Sequence, residues 1–327
     1  MSASESRVSV VIPTFNRRAS LAKVIDPVLE DASCGEVIVV IDGCTDGSFE
    51  FLSEWALREP RLRVLFQENG GEAKARRSGI KEARFDTVVL LDDDVKAHAG
   101  LIGGHARSHV GSDHRLVVGY MPTIVPTPRR SGQATTLLYG EYYEATCRLY
   151  ESDSSSIFTH LWAGNISIRR DNALAVASDA EGRLGYHEDL KFGLQCRDAG
   201  LEAVFHRSLL AEHSHSRTLR KFSAECQRSG EAMARLMNEY PSLEGDLNSF
   251  FPLSEQQRHV ARYLGTSFVR PLSAATVMAI SYLSGRVRAW KTETRSARAL
   301  HVIQLSFGFN RARKVLLSKT SEKAHSG

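Results

Sequence analysis

Cysteine is scarce in this chain and follows no pairing pattern. The 327 residues include five cysteines at irregular spacings and no C-x-x-C pair: Cys34, Cys44, Cys147, Cys196 and Cys226. An odd number of scattered cysteines argues against a disulfide framework and against a cysteine-ligated zinc site, and it suits a reducing compartment. We therefore expect a cytoplasmic protein, either free or at the inner face of the membrane.

Long apolar runs are also missing. No stretch reaches the roughly 18 consecutive apolar residues of a membrane-spanning helix. Residues 1–7 are polar and lead directly into a predicted strand, so a secretory signal peptide is not expected. The nearest candidate, Pro271–Leu283, is short and rich in serine, which predicts either a buried helix or a helix lying on a membrane surface.

Charge is low overall but unevenly distributed. The net charge is +4, yet the residues from Arg286 onward contain ten Lys and Arg against two Asp and Glu, a local charge of +8 that leaves −4 for residues 1–285. Such a basic region is either solvated or in weak peripheral contact with an anionic membrane. No nucleic-acid partner is expected.

The first ninety residues alternate between apolar strands and amphipathic helices. Strands are predicted at Val8–Ile12, Glu36–Ile41, Leu62–Phe66 and Val88–Leu91. Strands that alternate with helices of this length predict a parallel, doubly wound α/β sheet with helices on both faces.

The helices between these strands have recognisable starts and inward faces. Asn16 is positioned to cap the first helix, and Asp46 precedes the second helix. In that second helix we expect Phe49, Leu52 and Leu57 to face the core.

The rest of the chain is less regular and ends in helices. Further strands are predicted at Leu116–Tyr120, Asn165–Ile168 and Ala203–Phe205, helices at Leu137–Tyr150 and Glu188–Arg197, and a mobile loop at Ser152–Ser156. Beyond Thr218 the pattern is helical, with breaks near Pro241, Pro252 and Gly308. We predict an α/β domain over residues 1–225, with a nucleotide-binding part to residue 120 and an acceptor part after it, and a helical, basic extension over 226–327.

Three adjacent carboxylates follow the fourth predicted strand. Asp92, Asp93 and Asp94 come directly after Val88–Leu91, at the edge of the sheet where α/β proteins bind ligands. Their mutual repulsion would be relieved by a divalent cation, and oxygen ligands suit Mg²⁺ or Mn²⁺, ions that usually serve phosphate groups. The alternative is a solvated acidic turn.

Six segments occur in an order that resembles the family 2 glycosyltransferases of the GT-A fold. They are VSVVIPTFNR, VVIDGCTDGS, NGGEAKARRSG, LLDDDV, AGNISIRR and GYHEDLKFGLQCRDAG, and the resemblance covers residues 7–217. It implies a GT-A fold and a metal-dependent, inverting transfer of a sugar from a nucleotide-diphosphate sugar. The acceptor hydroxyl would belong to a carbohydrate, a lipid-linked molecule or a small molecule.

The resemblance also implies a donor-binding set in the turns that follow the strands. Its members are Pro13, Thr14, Asn16, Asp42, Gly71, Arg76, Asp92, Asp93, Gly164 and Asn165. Asp92 would contact the ribose and Asp94 the metal, whereas we expect Asp93 to point away, because successive residues of an extended chain face opposite sides. A plain β-turn is the alternative for Asn165.

The last two segments supply the remaining roles. The resemblance makes Asp189 the base that takes the proton of the acceptor hydroxyl, with Glu188 in support, and either His213 or His215 a further metal ligand. The alternatives are carboxylates that merely stabilise a helix N-terminus and two surface histidines.

Three other functions fit the sequence less well. A phosphatase of the haloacid-dehalogenase type calls for Thr or Val where Lys96 stands, and a nucleotidyltransferase calls for a glycine-rich basic loop where residues 13–16 stand. The third is a catalytically inert nucleotide-sugar-binding or scaffold protein. The presence of Asp94 and Asp189 disfavours it, but it remains the alternative function.

Overall fold

The computed structural model describes residues 7–176, 184–245 and 270–325. Within these ranges the chain forms two compact units. Residues 7–124, 143–176 and 188–214 make up the first unit, and residues 125–142, 184–187, 215–245 and 270–325 make up the second. The predicted division at residue 225 stays a prediction.

The first unit is built on a mixed sheet of eight strands among the described residues. The strands are β1 Val8–Thr14, β2 Cys34–Asp42, β3 Leu62–Gln67, β4 Thr87–Leu91, β5 Val95–Ala97, β6 Arg115–Tyr120, β7 Asn165–Arg169 and β8 Glu202–His213. Their order is β3-β2-β1-β4-β7-β6-β8-β5. The first four strands run parallel to one another, whereas β7 is antiparallel to both of its neighbours. The predicted α/β sheet is confirmed.

Helices cover the sheet and supply its core. They are α1 Arg18–Leu29, α2 Ser48–Ala56, α3 Glu72–Glu82, α4 Leu101–Ser108, α5 Ala134–Ser152, α6 Ile157–His160, α7 Arg170–Val176 and α8 Glu188–Asp198, and the division between the units falls within α5. Two apolar clusters lie on the sheet. One contains Val10, Ile12, Val39 and Leu91, and the other contains residues of the same strands that point the opposite way, such as Val11. This arrangement explains why the strands are apolar throughout.

The prediction that three residues of α2 face the core is only partly right. Leu52 is buried as expected, but Phe49 is 43% exposed and Leu57 is 87% exposed. Leu57 follows Ala56, the last helical residue, and so leaves the inward face. Phe49 packs instead edge-to-face against Phe66 of β3 at the surface, with ring centres 5.9 Å apart.

Two further local predictions need correction, and two short elements were missed. Residues Ser154–Ser156 form a 3₁₀ turn that Asp153 caps, where a mobile loop was predicted. Strand β8 has 12 residues and extends well beyond the predicted Ala203–Phe205. Strand β5 and helix α4 were not predicted, since both are too short to show a clear apolar period.

The described part of the second unit is mainly helical. After the first half of α5 come α9 Leu219–Glu239, a 3₁₀ turn at Pro241–Gly245, α10 Arg270–Arg286 and α11 Trp290–His325. The predicted break near Pro241 is confirmed, and Pro252 lies outside the described residues. None of the described helices is both long and apolar enough to cross a membrane.

The predicted break at Gly308 is wrong. Helix α11 continues through this residue and packs closely on α9, where a Cβ atom at position 308 would lie 2.0 Å from the Gln227 carbonyl oxygen. Gly230 of α9 makes the reciprocal approach, because a Cβ there would lie 2.1 Å from the Leu305 carbonyl oxygen. The glycine therefore serves close helix packing rather than a helix end.

Candidate active site

The carboxyl ends of β1 and β4 meet in the middle of the sheet. Strand β1 pairs with β2 on one side and with β4 on the other, so the order in which strands are added reverses here. In α/β sheets such a switch point opens a crevice that binds ligands. Pro13 and Thr14 end β1 with buried side chains, and the Thr14 hydroxyl donates a hydrogen bond of 2.8 Å to Asp93 Oδ2. Two segments predicted to bind the donor are thus in direct contact.

The three acidic residues after β4 form a turn. The Val95 amide donates a hydrogen bond of 3.1 Å to the Asp92 carbonyl oxygen. Arg17 Nη2 lies 3.1 Å from Asp94 Oδ2, and its Nε lies 3.7 Å from Asp93 Oδ1. The expected alternation of Asp93 and Asp94 is therefore not found, because the chain turns here instead of running extended.

Asp93 is a largely buried carboxylate of this turn, with a side chain that is 15% exposed. Burial raises its pKa to about 6, and the negative charges of Asp94 and Asp92 act in the same direction. The hydrogen bond from Thr14 and the positive charge of Arg17 oppose that rise only in part. The turn therefore carries more negative charge than its protein surroundings compensate, and an added cation would favour its ionised form.

Asp94 and His213 are placed to share a cation. His213 Nε2 lies 3.2 Å from Asp94 Oδ1, and the Ser214 amide donates a hydrogen bond of 2.9 Å to the Asp94 carbonyl oxygen. Adjacent ligands of an octahedral Mg²⁺ ion, each at about 2.1 Å, are about 3.0 Å apart, so this pair fits two neighbouring positions. The described residues contain no group of three His, Cys, Asp or Glu side chains that would hold a metal. The donor set thus fits an ion that completes its shell with phosphate oxygens and water.

The structure distinguishes His213 from His215 by their contacts. The contact with Asp94 belongs to His213, at the end of β8. His215 belongs to the second unit, where its imidazole stacks on the Tyr139 ring with centres 3.6 Å apart.

Arg76 joins the acidic turn to the start of α8. Its Nη2 lies 2.7 Å from Asp92 Oδ1, its Nη1 lies 2.5 Å from Asp189 Oδ1, and Nη2 also contacts Glu72 one helical turn earlier in α3. The Arg76 side chain is only 9% exposed. Glu188 precedes Asp189 as the first residue of α8. A single guanidinium therefore holds together two carboxylates that the sequence assigned to different roles.

The segment before β7 contacts the same two aspartates. The Ala163 amide donates a hydrogen bond of 3.0 Å to Asp189 Oδ2, and the Asp92 amide donates one of 3.2 Å to the Gly164 carbonyl oxygen. A Cβ atom at position 164 would lie 2.4 Å from Asp92 Oδ2. Glycine is thus required here for the close approach of Asp92.

Asn165 has a different place from the one predicted. Its side chain is fully buried, donates a hydrogen bond of 3.1 Å to the Leu209 carbonyl oxygen, and lies 2.9 Å from His105 Nε2. The side chain has no exposed surface in this arrangement, and Asn165 begins β7 directly after a turn at residues 163 and 164, which agrees with the alternative prediction of a turn here. The Ser167 hydroxyl lies 2.8 Å from both His105 and His109, and burial lowers the pKa of each histidine to about 4. This neutral polar cluster braces β7 behind the site.

Asp42 holds the loop that precedes α3. Its Oδ1 accepts hydrogen bonds from Gln67 at 2.7 Å and from the Gly70 amide at 2.8 Å, and its Oδ2 accepts one from the Gly71 amide at 2.8 Å. Gly71 has a φ of +91°, which glycine adopts readily. Asp42 therefore fixes the loop from which the helix carrying Arg76 begins.

Asn16 does not cap α1, which corrects that prediction. Helix α1 begins at Arg18 without a side-chain cap, and Asn16 has a φ of +54° that directs its Oδ1 to the Thr45 amide at 2.8 Å. Asp46 instead binds backbone amides at the starts of both α1 and α2. It accepts hydrogen bonds of 2.9 Å from the Arg18 amide and 3.2 Å from the Ser48 amide.

Residues 9–171 match the model of glycosyl transferase family 2. The chain belongs to this family. Of the predicted site residues, Glu188, Asp189, His213 and His215 lie beyond the matched segment.

Two relatives named as transferases match a short part of the chain. It is 39% identical over 88 residues to the uncharacterized glycosyltransferase EpsJ of Bacillus subtilis, a match of 27% of this chain and 26% of the relative. It is 38% identical over 98 residues to an undecaprenyl-phosphate 4-deoxy-4-formamido-L-arabinose transferase of Pectobacterium carotovorum, a match of 27% of this chain and 29% of the relative. The chain thus spans less than a third of these relatives.

The fold resembles that of a solved glycosyltransferase over most of its length. The mannosyltransferase PcManGT of Pyrobaculum calidifontis, in complex with GDP-Man and Mn²⁺, matches with a TM-score of 0.56 at 16% identity. The match covers 91% of this chain and 87% of that chain. The predicted GT-A fold with a helical C-terminal region is confirmed.

Two residues of this family 2 site were not predicted from the sequence. Arg17 reaches the acidic turn from the end of the first motif, and its charge beside that motif is the signal that could have identified it. His105 supports Asn165 from α4, a helix that the sequence did not reveal.

Proposed function

We propose that this family 2 member transfers a sugar from a nucleotide-diphosphate sugar to an acceptor hydroxyl and inverts the anomeric configuration. The observation that carries the proposal is the double contact of Arg76 with Asp92 and Asp189. It brings the turn that would bind the donor next to the carboxylate that would act as the base. Inverting transfer requires this arrangement, because the acceptor hydroxyl loses its proton as it attacks the sugar.

Asp189 is the proposed base. Arg76 Nη1 donates a hydrogen bond to its Oδ1 and the Ala163 amide donates one to its Oδ2, so the carboxylate is fixed in orientation. A diphosphate near Arg76 would compete for the guanidinium, because arginine binds phosphate and carboxylate oxygens by the same fork of donors. Donor binding would then release Asp189 to act on the acceptor.

Asp94 and His213 are the residues that would hold a divalent cation, Mn²⁺ or Mg²⁺. Such an ion supplies positive charge against the negative charge that develops on the departing diphosphate. Arg17 contributes a second positive charge to the same turn, 3.1 Å from Asp94. The Mn²⁺ and GDP-Man of the PcManGT complex support an ion and a donor of this class.

The acceptor is proposed to be a carbohydrate, a lipid-linked molecule or a small molecule. The lipid-linked class is supported by the Pectobacterium relative, whose name specifies undecaprenyl phosphate. The basic region from Arg286 onward would favour an acceptor at an anionic membrane surface.

The test measures release of nucleoside diphosphate from UDP-, GDP- and dTDP-sugars with Mn²⁺ and a panel of acceptors. Replacing Asp189 with Asn should lower turnover by about 10²- to 10⁴-fold, the usual contribution of a general base, and leave donor affinity largely unchanged. Asp198→Asn is the matched control, since Asp198 ends the same helix and its side chain is 52% exposed. NMR of the product would report the anomeric configuration.

Two results would overturn the proposal. Near-full turnover of the Asp189→Asn variant would exclude this residue as the base. Tight donor binding without release of nucleoside diphosphate for any donor and acceptor would favour the inert nucleotide-sugar-binding protein.

A further inference from the structure

Helix α10 and the residue after it present four large aliphatic side chains to the solvent. Leu272 is 75% exposed, Ile280 43%, Leu283 61% and Val287, just after the helix end, 76%. Positions 272, 280, 283 and 287 recur at intervals of eight, three and four residues and therefore lie on one face of a helix. Exposed apolar residues are ordinary when they are scattered, but several of them on one helix face indicate a contact surface.

The opposite face of α10 is the one that packs. Its buried residues are all small, namely Ala274, Ser281, Ser284 and Gly285. The Ser281 hydroxyl lies 3.4 Å from the Glu293 carbonyl oxygen of α11, and a Cβ atom at position 285 would lie 2.6 Å from Glu293 Oε1. The helix is therefore docked closely through its small side, which leaves its large apolar residues outward.

Positive charge surrounds the end of this apolar row. Arg286 and Arg288 are exposed, and Lys291 and Arg295 are exposed at the start of α11. Residues 270–318 contain nine Lys and Arg but a single carboxylate, Glu293, which is 1% exposed and bonded to Arg129. This part of the chain thus offers no exposed negative charge.

We infer that the outward face of α10 is a docking surface for an anionic lipid bilayer. A helix that buries an apolar row among the acyl chains while cationic residues meet the head groups lies in the plane of the membrane surface. Tyr282, 59% exposed and 3.3 Å from Arg286 through its hydroxyl, has the amphipathic ring that suits this interface.

A second copy of the chain is a poorer occupant of this face. A two-fold interface brings the same patch of both copies together, so Arg286 and Arg288 would be confined in an interface that supplies no exposed carboxylate from residues 270–318. Anionic head groups supply the missing negative charge.

The experiment is sedimentation of the full-length protein with vesicles, without sugar donor. One set contains equal parts phosphatidylglycerol and phosphatidylcholine, and the other contains phosphatidylcholine alone. We expect the wild type to sediment with the anionic vesicles and to be released by 0.5 M salt, which screens exposed charges. The Arg286→Gln and Arg288→Gln changes together should weaken binding about 30-fold, since each basic residue contributes about fivefold at an anionic surface.

The apolar row is tested by Leu283→Ser, which should weaken binding by about tenfold. Two matched controls lie in the first unit, Leu57→Ser at a leucine that is 87% exposed and Arg107→Gln at an exposed arginine. Both controls should bind vesicles like the wild type, and all variants should keep the wild-type melting temperature.

Several outcomes would overturn the inference. The first is that the wild type sediments with neither kind of vesicle. The second is that Leu283→Ser and Leu57→Ser lose vesicle binding equally. The third is that the wild type binds no vesicles and is a dimer by light scattering, and that Leu283→Ser converts this dimer to a monomer. Vesicle binding is independent of sugar transfer, so the Asp189→Asn variant should bind like the wild type. A failure of the proposed activity and a failure of the docking surface would thus be told apart.

Discussion

Replacing Arg76 with Met tests whether one guanidinium holds the site together. Methionine keeps most of the length of the side chain but removes the charge and every hydrogen-bond donor. The change leaves Glu72, Asp92 and Asp189 facing one another without the cation that binds all three.

The expected loss follows from how well each partner is hydrated. Removing one partner of a buried ion pair typically costs about 3–5 kcal/mol, because the remaining charge stays buried without compensation. Arg76 is 9% exposed, but Asp189 and Glu72 are 34% and 52% exposed, so water compensates part of their charge. We therefore expect the free energy of unfolding to fall by about 3 kcal/mol, the lower end of that range.

Urea unfolding at pH 7 measures this loss as a lower midpoint at an unchanged m-value. Arg58→Met is the matched control, because the Arg58 side chain is 72% exposed and pairs only with Glu54 on the surface of the first unit. The control should change the free energy of unfolding by less than about 0.5 kcal/mol. If Arg76→Met also stayed within that limit, the idea that Arg76 compensates a buried acidic cluster would be refuted.

Two further predictions concern stability. Gly308→Ala should lower the free energy of unfolding by about 1–3 kcal/mol through overpacking against α9, although alanine gains about 1 kcal/mol in helix propensity. Urea unfolding measures this loss, and Asn310→Ala, at an exposed position in the same helix, is the control. Burial raises the pKa of Glu36, but hydrogen bonds from Ser9, the Arg84 amide and Arg63 outweigh it, so the pKa is lowered. Glu36→Gln should therefore lower the free energy of unfolding by about 1–3 kcal/mol at pH 7. The difference in unfolding free energy between wild type and variant should shrink as the pH falls below 4.5, the ordinary pKa of glutamate.

The sheet edge could be predicted because strand ends follow from local pattern. An apolar run that stops at a polar residue marks where a strand leaves the core, and parallel strands bring their carboxyl ends to one edge. Thr14 and Asp93 are 79 residues apart in sequence, and this rule predicts that they lie at the same edge. The rule places such residues at the same edge, but it does not say which side chains bond.

Contacts that depend on a partner element could not be predicted in this way. Gly308 has the sequence signature of a helix end, and only the packing of α9 shows that it permits close approach. Phe49 has the spacing of a core residue, but its position is decided by Phe66 at the surface. A period in the sequence tells which residues share a face, whereas the neighbouring element decides what that face meets.

Asp42 illustrates why strand-end carboxylates are hard to interpret from sequence. A carboxylate at this edge can bind a ligand or can anchor the next loop, and both uses require the same residue at the same position. In the structure, Asp42 accepts three hydrogen bonds, from Gln67 and from the Gly70 and Gly71 amides, so most of its roughly four acceptor positions serve the loop. Asp92 differs, because its Oδ1 meets a side chain, Arg76, whose fork of donors a diphosphate can also engage. We therefore expect an exchangeable side-chain partner, rather than a fixed backbone one, to distinguish a ligand-binding carboxylate from a structural one at this edge.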